Sequence, residues 1–395
     1  MKLVRSPKVL IVADDLTGAL DAASPFSERG YTVKSVVDPN CDCPLEDLRD
    51  ADVVALNTNS RHLSADAVKH NVEAALATID LKDYSFFVKK IDSTLRGNVC
   101  AETLVLMDVL GKSSAVVCPA LPDHQRVVKG GYVYVNDVRL DRTEFCRDKL
   151  SPAPSTSIAK AFRAFNKDIN VNHSKYLEDE LSPGITVFDA QNNETLADIV
   201  RLFNRDVAQT ILVGSSGITA QLAMVLPKKS MIEGASLTKK TILFSVGSRA
   251  SRSSDQIRNI EKRMPGVAHV AVNGTLKETP KFVNDVFVVF AGSDPKILLE
   301  PQEVAVKMAE TTSSLVEELD PDVLLVTGGD TALSFLRKAK ISSVTVRGNL
   351  FPGVPLLVVF VGGRRRVLVT KAGGFGAKTF FLDIIDKIRS ESIRL

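Results

Sequence analysis

Acids, hydroxyls and cations crowd three short stretches of the amino-terminal half, each at the end of an apolar run. Asp14, Asp15 and Thr17 follow Val9 to Ala13, Asn57-Thr-Asn-Ser-Arg61 closes the run that starts at Val53, and Lys90-Ile-Asp-Ser-Thr-Leu-Arg-Gly97 follows 85–89. Ligands of open α/β sheets bind beyond the carboxyl ends of the strands, so three such stretches on one sheet make a single polar rim. A hydroxy acid suits that rim, because Arg or Lys pairs a carboxylate while Asp and Asn accept from hydroxyls. An Asp beside an attacking hydroxyl can also take its proton. Each residue alone has a structural alternative. An Asp after a strand caps the next helix, and Lys90, Asp92 and Arg96 would equally form a solvated ion-pair cluster. The convergence of three strand ends is what favours chemistry.

The carboxy-terminal half is glycine-rich at the corresponding places: Val246-Gly-Ser-Arg249, Thr327-Gly-Gly-Asp-Thr331 and Lys371-Ala-Gly-Gly-Phe-Gly376, with Pro352-Gly-Val-Pro355 before the last. Glycine lets a backbone approach phosphate oxygens, and the N–H groups that open the next helix favour anions. Three such turns on one sheet edge suggest a nucleotide cradle, although each alone also serves as a plain tight turn. No G-x-G-x-x-G follows the first strand, which disfavours a dinucleotide site, and Gly376-Ala-Lys-Thr379 lacks the Gly-Lys-Thr adjacency of a P-loop. His62, His70, His124, His173 and His269 show no metal-ligand spacing. His124, in the rigid loop from Pro119 to Arg126, is the one that could reach a cleft. No nucleophile, base and orienter set points to covalent hydrolysis.

These rims require strands that alternate with helices. The continuous apolar run at 9–13 reads as a strand covered on both faces. Further strands are predicted at 53–57, 85–89, 115–118, 185–188 and 210–213, and helices at 19–29, 64–78 and 102–110. Residues 214–217 read as a closing turn. Asn136-Asp137 between Tyr132-Val-Tyr-Val135 and Val138-Arg-Leu140 is a hairpin signature, suited to a flap or a dimer contact. The second half offers strands near 241–245, 267–272, 286–290, 323–326, 356–361 and 366–370, and helices near 254–263, 303–318, 331–340 and 378–389. The expected fold class is α/β in two domains, each a mainly parallel sheet flanked by helices, with a cleft between them. A length of 395 residues also suggests two domains. The boundary is expected at 226–240, where Pro227, Gly234 and four lysines break any apolar period, giving domains 1–225 and 241–395.

Composition narrows the class. Hydrophobic residues at 45% and charged residues at 25% are ordinary globular values. A net charge of +3, from 50 basic and 47 acidic residues, leaves no basic excess for nucleic acid. The five cysteines, Cys41, Cys43, Cys100, Cys118 and Cys146, include no C-x-x-C pair, which fits reduced thiols in a cytoplasm. The run at 9–13 stops at Asp14, short of a signal-peptide core, and no stretch of about 18 apolar residues could span a membrane. A cytoplasmic protein with neither nucleic acid nor membrane as partner is expected.

Taken in order, the motifs resemble those of the four-carbon acid sugar kinases. The resemblance runs from Ile11-Val-Ala-Asp-Asp-Leu-Thr-Gly-Ala19 through Thr58-Asn-Ser-Arg61, Lys89 to Gly97, Phe145-Cys-Arg-Asp148 and the glycine turns to Lys371-Ala-Gly-Gly-Phe-Gly376. It implies a substrate-binding amino-terminal domain, an ATP-binding carboxy-terminal domain, and 4-phosphorylation of threonate, erythronate or a 3-oxo-tetronate with ATP and Mg2+. In that picture Asp14, Asp15, Lys90 and Asp92 are catalytic candidates, and Arg61, Ser93, Arg96 and Gly97 bind the acid. Ser248, Gly328, Gly329, Asp330, Thr331 and Gly374 bind ATP, and no metal ligand is assigned. Asp14 or Asp15 is the candidate base with Asp330 as rival, and Lys90 or Arg96 offsets developing charge; in-line phosphoryl transfer needs no covalent intermediate. One departure is Ala377-Lys378, where the family commonly has an acid, so a metal or ribose contact there is unsupported. Two other classes stay open. One is an oxidoreductase on a similar acid, against which the missing dinucleotide fingerprint counts; the other is a non-catalytic, nucleotide-dependent sugar-acid sensor. Which acid is preferred turns on side-chain positions about 1 Å apart, and a homodimer through the hairpin remains an option.

Overall fold

Strands that are apolar on both faces set the architecture of the first domain. The computed structural model describes residues 7–38, 45–77, 79–147, 151–175, 181–230, 237, 240–278, 285–294, 296–297 and 299–390. The first part runs β1 (Val9–Ala13), α1 (Leu16–Ser27), β2 (Val33–Val36), α2 (Leu45–Arg49), β3 (Val53–Asn57), α3 (Ala65–Ala77), β4 (Phe86–Lys90), α4 (Val99–Leu110) and β5 (Ser114–Cys118). It continues with β6 (Arg126–Lys129), β7 (Tyr132–Val135), β8 (Val138–Arg139), α5 (Ile158–Phe165), β9 (Val171–Ser174), β10 (Gly184–Phe188), α6 (Asn193–Phe203), β11 (Thr210–Gly214) and α7 (Ser216–Val225). Every residue of β1, β3, β4, β5 and β11 is buried, as parallel strands covered by helices require.

The main sheet of this domain has the order β2-β3-β1-β4-β11-β5-β10-β9, and its pairings are parallel. Ala13 is in register with both Asn57 and Lys90. The three polar stretches therefore leave adjacent strands at the same height on one edge. Strands β6, β7 and β8 form a separate antiparallel sheet. Asn136 and Asp137 turn its hairpin at φ 49° and 61°, the left-handed pair that a two-residue hairpin favours. Val128 and Ala190 exchange backbone hydrogen bonds of 2.8 and 3.1 Å that tie this small sheet to the loop after β10.

The second part runs β12 (Ile242–Val246), α8 (Ser251–Arg263), β13 (Ala268–Val272), β14 (Val286–Gly292), α9 (Pro301–Leu319), β15 (Val323–Thr327), α10 (Gly329–Lys338), β16 (Ser343–Phe351), β17 (Val354–Val361), β18 (Arg364–Lys371) and α11 (Phe380–Ser390). Its strand order is β13-β14-β12-β15-β18-β17-β16, parallel as far as β18 and antiparallel beyond it. Phe244 and Phe381, with ring centroids 5.2 Å apart, anchor a core shared by the sheet and helices α8 and α11. Among the described residues no helix is long and apolar enough to cross a membrane.

Several elements differ from the sequence expectation. α1 and α4 begin three residues earlier than expected, at Leu16 and Val99, and the 214–217 turn opens α7 instead of closing the domain. Ser215 explains the last point, since its hydroxyl caps α7 through the Gly217 N–H at 3.2 Å. The chain divides into two compact units, Met1–Met231 and Ile232–Leu395. Most of the expected 226–240 linker lies outside the described residues, as do Cys41, Cys43 and Asp148. Its first residues are bound to the first unit. Pro227 O accepts from the Tyr31 hydroxyl at 2.6 Å, the Lys229 N–H donates to Arg29 O at 2.9 Å, and the Lys229 ammonium pairs with Asp52 at 2.6 Å.

Gly30 makes that return possible. It has φ +86°, and a Cβ there would stand 2.5 Å from Lys229 O. Gly30→Ala should therefore cost on the order of 1–3 kcal/mol, read as a lower midpoint in urea denaturation followed by circular dichroism.

Candidate active site

Arg61 gathers the first two acids. Its Nε and Nη2 donate to Asp14 Oδ2 and Oδ1 at 2.7 and 3.0 Å, and its Nη1 donates to Asp15 Oδ2 at 2.6 Å. Burial alone would raise the Asp14 carboxyl, but the positive charges of Arg61, Lys89 and Lys90 outweigh it and hold the group below its ordinary value. With both oxygens held by a guanidinium, Asp14 is a poor proton acceptor. Asp15 serves two roles. Its Oδ1 caps α1 by accepting from the Gly18 N–H at 2.8 Å, and its side chain, at 28% exposure, is open to ligand. Gly97 lies against the same cluster, where a Cβ would come within 3.0 Å of Asp14 Oδ2.

Lys90 stands beside Asp15 at the start of α1. A Cβ on Gly18 would lie 2.5 Å from Asp15 Oδ1 and 3.2 Å from Lys90 Nζ. The buried ammonium donates to Ile91 O at 3.0 Å. Lys90 is thus separate from the ion pair that Asp92 makes, contrary to a cluster of all three. Asp92 accepts from Arg96 Nε and Nη2 at 2.9 and 3.1 Å and from the Thr94 N–H and hydroxyl. Burial opposes its ionisation, yet Arg96 and Arg61 hold it far below the usual carboxylate range. Ser93 is the acceptor of a hydrogen bond from Arg126 Nη1. Arg96 and Arg126 flank the Phe145 ring, at 5.6 and 5.7 Å from its centroid.

A second charge pair lies beneath these residues and was not singled out from the sequence. Lys89 Nζ meets Glu102 Oε2 at 2.7 Å, with side-chain exposures of 0% and 2%. The ammonium also donates to Val12 O and Lys90 O, and Glu102 accepts from the Ser60 hydroxyl, which shares a 2.6 Å hydrogen bond with Thr58. Burial raises the Glu102 carboxyl, and the Lys89 charge pulls against it. The available signal was the Lys-Lys pair ending a strand, whose two side chains must point to opposite faces, together with an acid inside the apolar helix α4. Glu102→Leu should destabilise the domain by about 3–5 kcal/mol because it strands a buried ammonium. The Lys89→Met/Glu102→Leu double variant should recover most of that in the same denaturation experiment.

In the second domain β12, β15 and β18 are neighbours, so their three glycine turns converge. A Cβ on Gly247 would stand 2.0 Å from Thr331 Oγ1, and one on Gly373 would stand 1.9 Å from Ser248 Oγ. These turns pack against one another too closely for any other residue. Gly328 caps α10, and Gly329 and Asp330 are exposed in its first turn while Thr331 is buried. Gly374 has nothing within 4 Å of a would-be Cβ. The amino ends of α8 and α10 thus sit beside an open glycine turn, a donor set that fits nucleotide phosphates. Among the described residues no three His, Cys, Asp or Glu gather as metal ligands. His62 and His173 are tied to Ser151 and Asp189 at 2.8 and 2.9 Å.

Lys371 shapes this turn from inside. Its ammonium donates to Ala372 O, Gly373 O and Phe375 O at 2.8, 3.3 and 3.0 Å. Burial pushes its pKa from 10.5 down to about 8. Between those two values the unfolded chain holds the proton more tightly than the folded one, so this group makes the fold more stable as pH rises through that window. Thermal unfolding of the wild type should therefore lose less stability from pH 8 to pH 10 than that of Lys371→Met.

Both halves of the chain match known family models. The model of a sugar-binding N-terminal domain matches residues 9–222, and that of a nucleotide-binding C-terminal domain matches 284–381. A D-erythronate kinase of Heliobacterium modesticaldum is 32% identical over 270 residues, covering 64% of this chain and 60% of that protein. A D-threonate kinase of Salmonella typhimurium is 25% identical over 96% of this chain and 97% of its own. A 3-oxo-tetronate kinase of Brucella melitensis is 24% identical over 96% and 95%. The solved structure of a Haemophilus influenzae protein of the DUF1537 family shares the fold, with a TM-score of 0.74 at 19% identity over 95% of this chain and 99% of that one. A Salmonella typhimurium LT2 structure does so with a TM-score of 0.77 at 20% identity over 98% and 100%. With the sugar-binding model spanning more than half of its length, the chain belongs to the four-carbon acid sugar kinase family.

Proposed function

We propose that this protein is an ATP-dependent kinase that phosphorylates the terminal 4-hydroxyl of a four-carbon acid sugar such as D-threonate, D-erythronate or a 3-oxo-tetronate. The names of the relatives support the reaction class. The observation that carries the reading is the placement of Asp15 and Lys90 against the same glycine, Gly18, at the start of α1. Asp15 is a carboxylate that can align a hydroxyl, and Lys90 is a buried ammonium whose remaining N–H groups can offset charge on a transferring phosphoryl group. ATP would supply that group, and a bound Mg2+ would neutralise charge on its phosphates.

The chain's own residues then divide the work. Asp14 fixes Arg61, which in turn fixes Asp15. Asp15 takes the hydroxyl proton as the new oxygen–phosphorus bond forms and the bond to ADP breaks. Ser248, Gly328, Gly329, Thr331 and Gly374 would supply backbone and hydroxyl donors to the nucleotide, and Asp330, exposed in the first turn of α10, would offer a carboxylate to its metal. A cytoplasmic setting belongs to the same proposal and accords with the free thiols of Cys100, Cys118 and Cys146.

ADP release by the purified protein with Mg-ATP against threonates, erythronates and 3-oxo-tetronates tests the reading. Turnover on one acid supports it. Binding of acid and ATP without ADP release would instead favour the sensor. Asp15→Asn should lower kcat about 10²–10⁴-fold with the fold intact, and near-normal turnover would remove Asp15 from the mechanism.

A further inference from the structure

Three arginines reach the substrate rim of the first domain, and two of them are paired with acids. Arg61 is held by Asp14 and Asp15, and Arg96 by Asp92. Arg126, at the start of β6, is different. Its described contacts are neutral: the Ser93 hydroxyl, which takes its Nη1 proton, and the Phe145 ring at 5.7 Å. Its Nε is buried without an acceptor.

The surroundings make this costly. Burial disfavours the charge on Arg126 most; Asp92 offsets part of this without forming an ion pair, Arg96, which also lies near the Phe145 ring, adds repulsion, and Asp21 offsets a little. A guanidinium that is partly removed from water, short of an acceptor and next to a second guanidinium is a site for an anion. Ser93, expected from the sequence to touch substrate, is engaged in orienting Arg126.

Resting on the kinase reading above, we propose that Arg126 is the residue that recognises the carboxylate of the acid sugar, and that Ser93 and Phe145 hold its guanidinium in place. Arg61 differs in that two carboxylates, those of Asp14 and Asp15, already offset its charge. Arg126 therefore separates acids from the corresponding neutral polyols.

The test compares kcat/KM for a turned-over acid and for the matching tetritol in the wild type, Arg126→Gln and Arg126→Lys. The acid-to-tetritol preference should fall about ten- to a hundredfold in R126Q, as expected for loss of a charged hydrogen bond. R126K should fall between R126Q and the wild type. The change should appear in the KM for the acid and not in the KM for ATP. An unchanged preference overturns the proposal. An equal loss on acid and tetritol also overturns it, because that outcome assigns Arg126 to the transferred phosphoryl group. A parallel drop in thermal midpoint and in ATP affinity overturns it in favour of a structural role. Should the wild type turn over no acid, the kinase reading fails by itself, and calorimetric titration of D-threonate and D-erythronate still decides the carboxylate contact. Weaker binding to R126Q than to the wild type supports it; equal binding, or none to either, overturns it.

Discussion

A lysine and a glutamate closed off from water hold the polar edge of the first domain together. Lys89 and Glu102 are each almost fully buried, and neither could stay charged there without the other. Their secondary contacts matter as much as the pair itself. Lys89 reaches the carbonyls of Val12 on β1 and Lys90 on β4, while Glu102 reaches Ser60 in the loop after β3. One buried pair thus binds together the three strand ends from which every acid-sugar candidate arises. Because adjacent strand residues alternate faces, burying Lys89 on one side turns Lys90 to the other, beside Asp15. The position of Lys90 follows from the position of the buried Lys89 charge.

In the second domain the glycine turns are held by close packing. Its glycine turns touch through Thr331 and Ser248 at distances that leave no room for a methyl group. Lys371 then ties three carbonyls of the last turn to one ammonium. Carbonyls drawn inward leave amide N–H groups outward, which is the polarity that phosphate oxygens require.

Much of this was legible in the sequence, and what was missed has physical reasons. Strands β1 and β3 fall on their apolar runs, because a strand covered on both faces is mostly apolar. The early start of α1 was hidden because its cap, Asp15, reads as part of a turn, and that of α4 because Asn98 before it makes no side-chain capping bond. β2 and β9 went unread because they are only four residues long and carry Lys34, Asn172 and His173. β16 alternates buried and half-buried residues over nine positions, but Thr345, Arg347 and Asn349 on its outer face blur the apolar signal. In the site, the residue types that gather were readable from their places after strands. The pairings were not. That Arg61 joins Asp14 to Asp15, that Asp92 is held by its neighbour Arg96, and that Ser93 faces Arg126 all depend on which side chains the folded chain brings within about 3 Å of each other.

The small sheet of β6, β7 and β8 has a consequence of another kind. It closes its own hydrogen bonds, turns on Asn136 and Asp137, and meets the loop after β10 through the exchange between Val128 and Ala190. Arg126 rides on this appendage, whereas Asp15, Lys90 and Arg61 belong to the main sheet and its loops. Recognition of the acid and the handling of its hydroxyl are therefore carried by different pieces of architecture. A lineage or an engineer can exchange or lengthen the appendage and leave the catalytic edge untouched, so that new acceptors are acquired by grafting a module and not by rebuilding an enzyme.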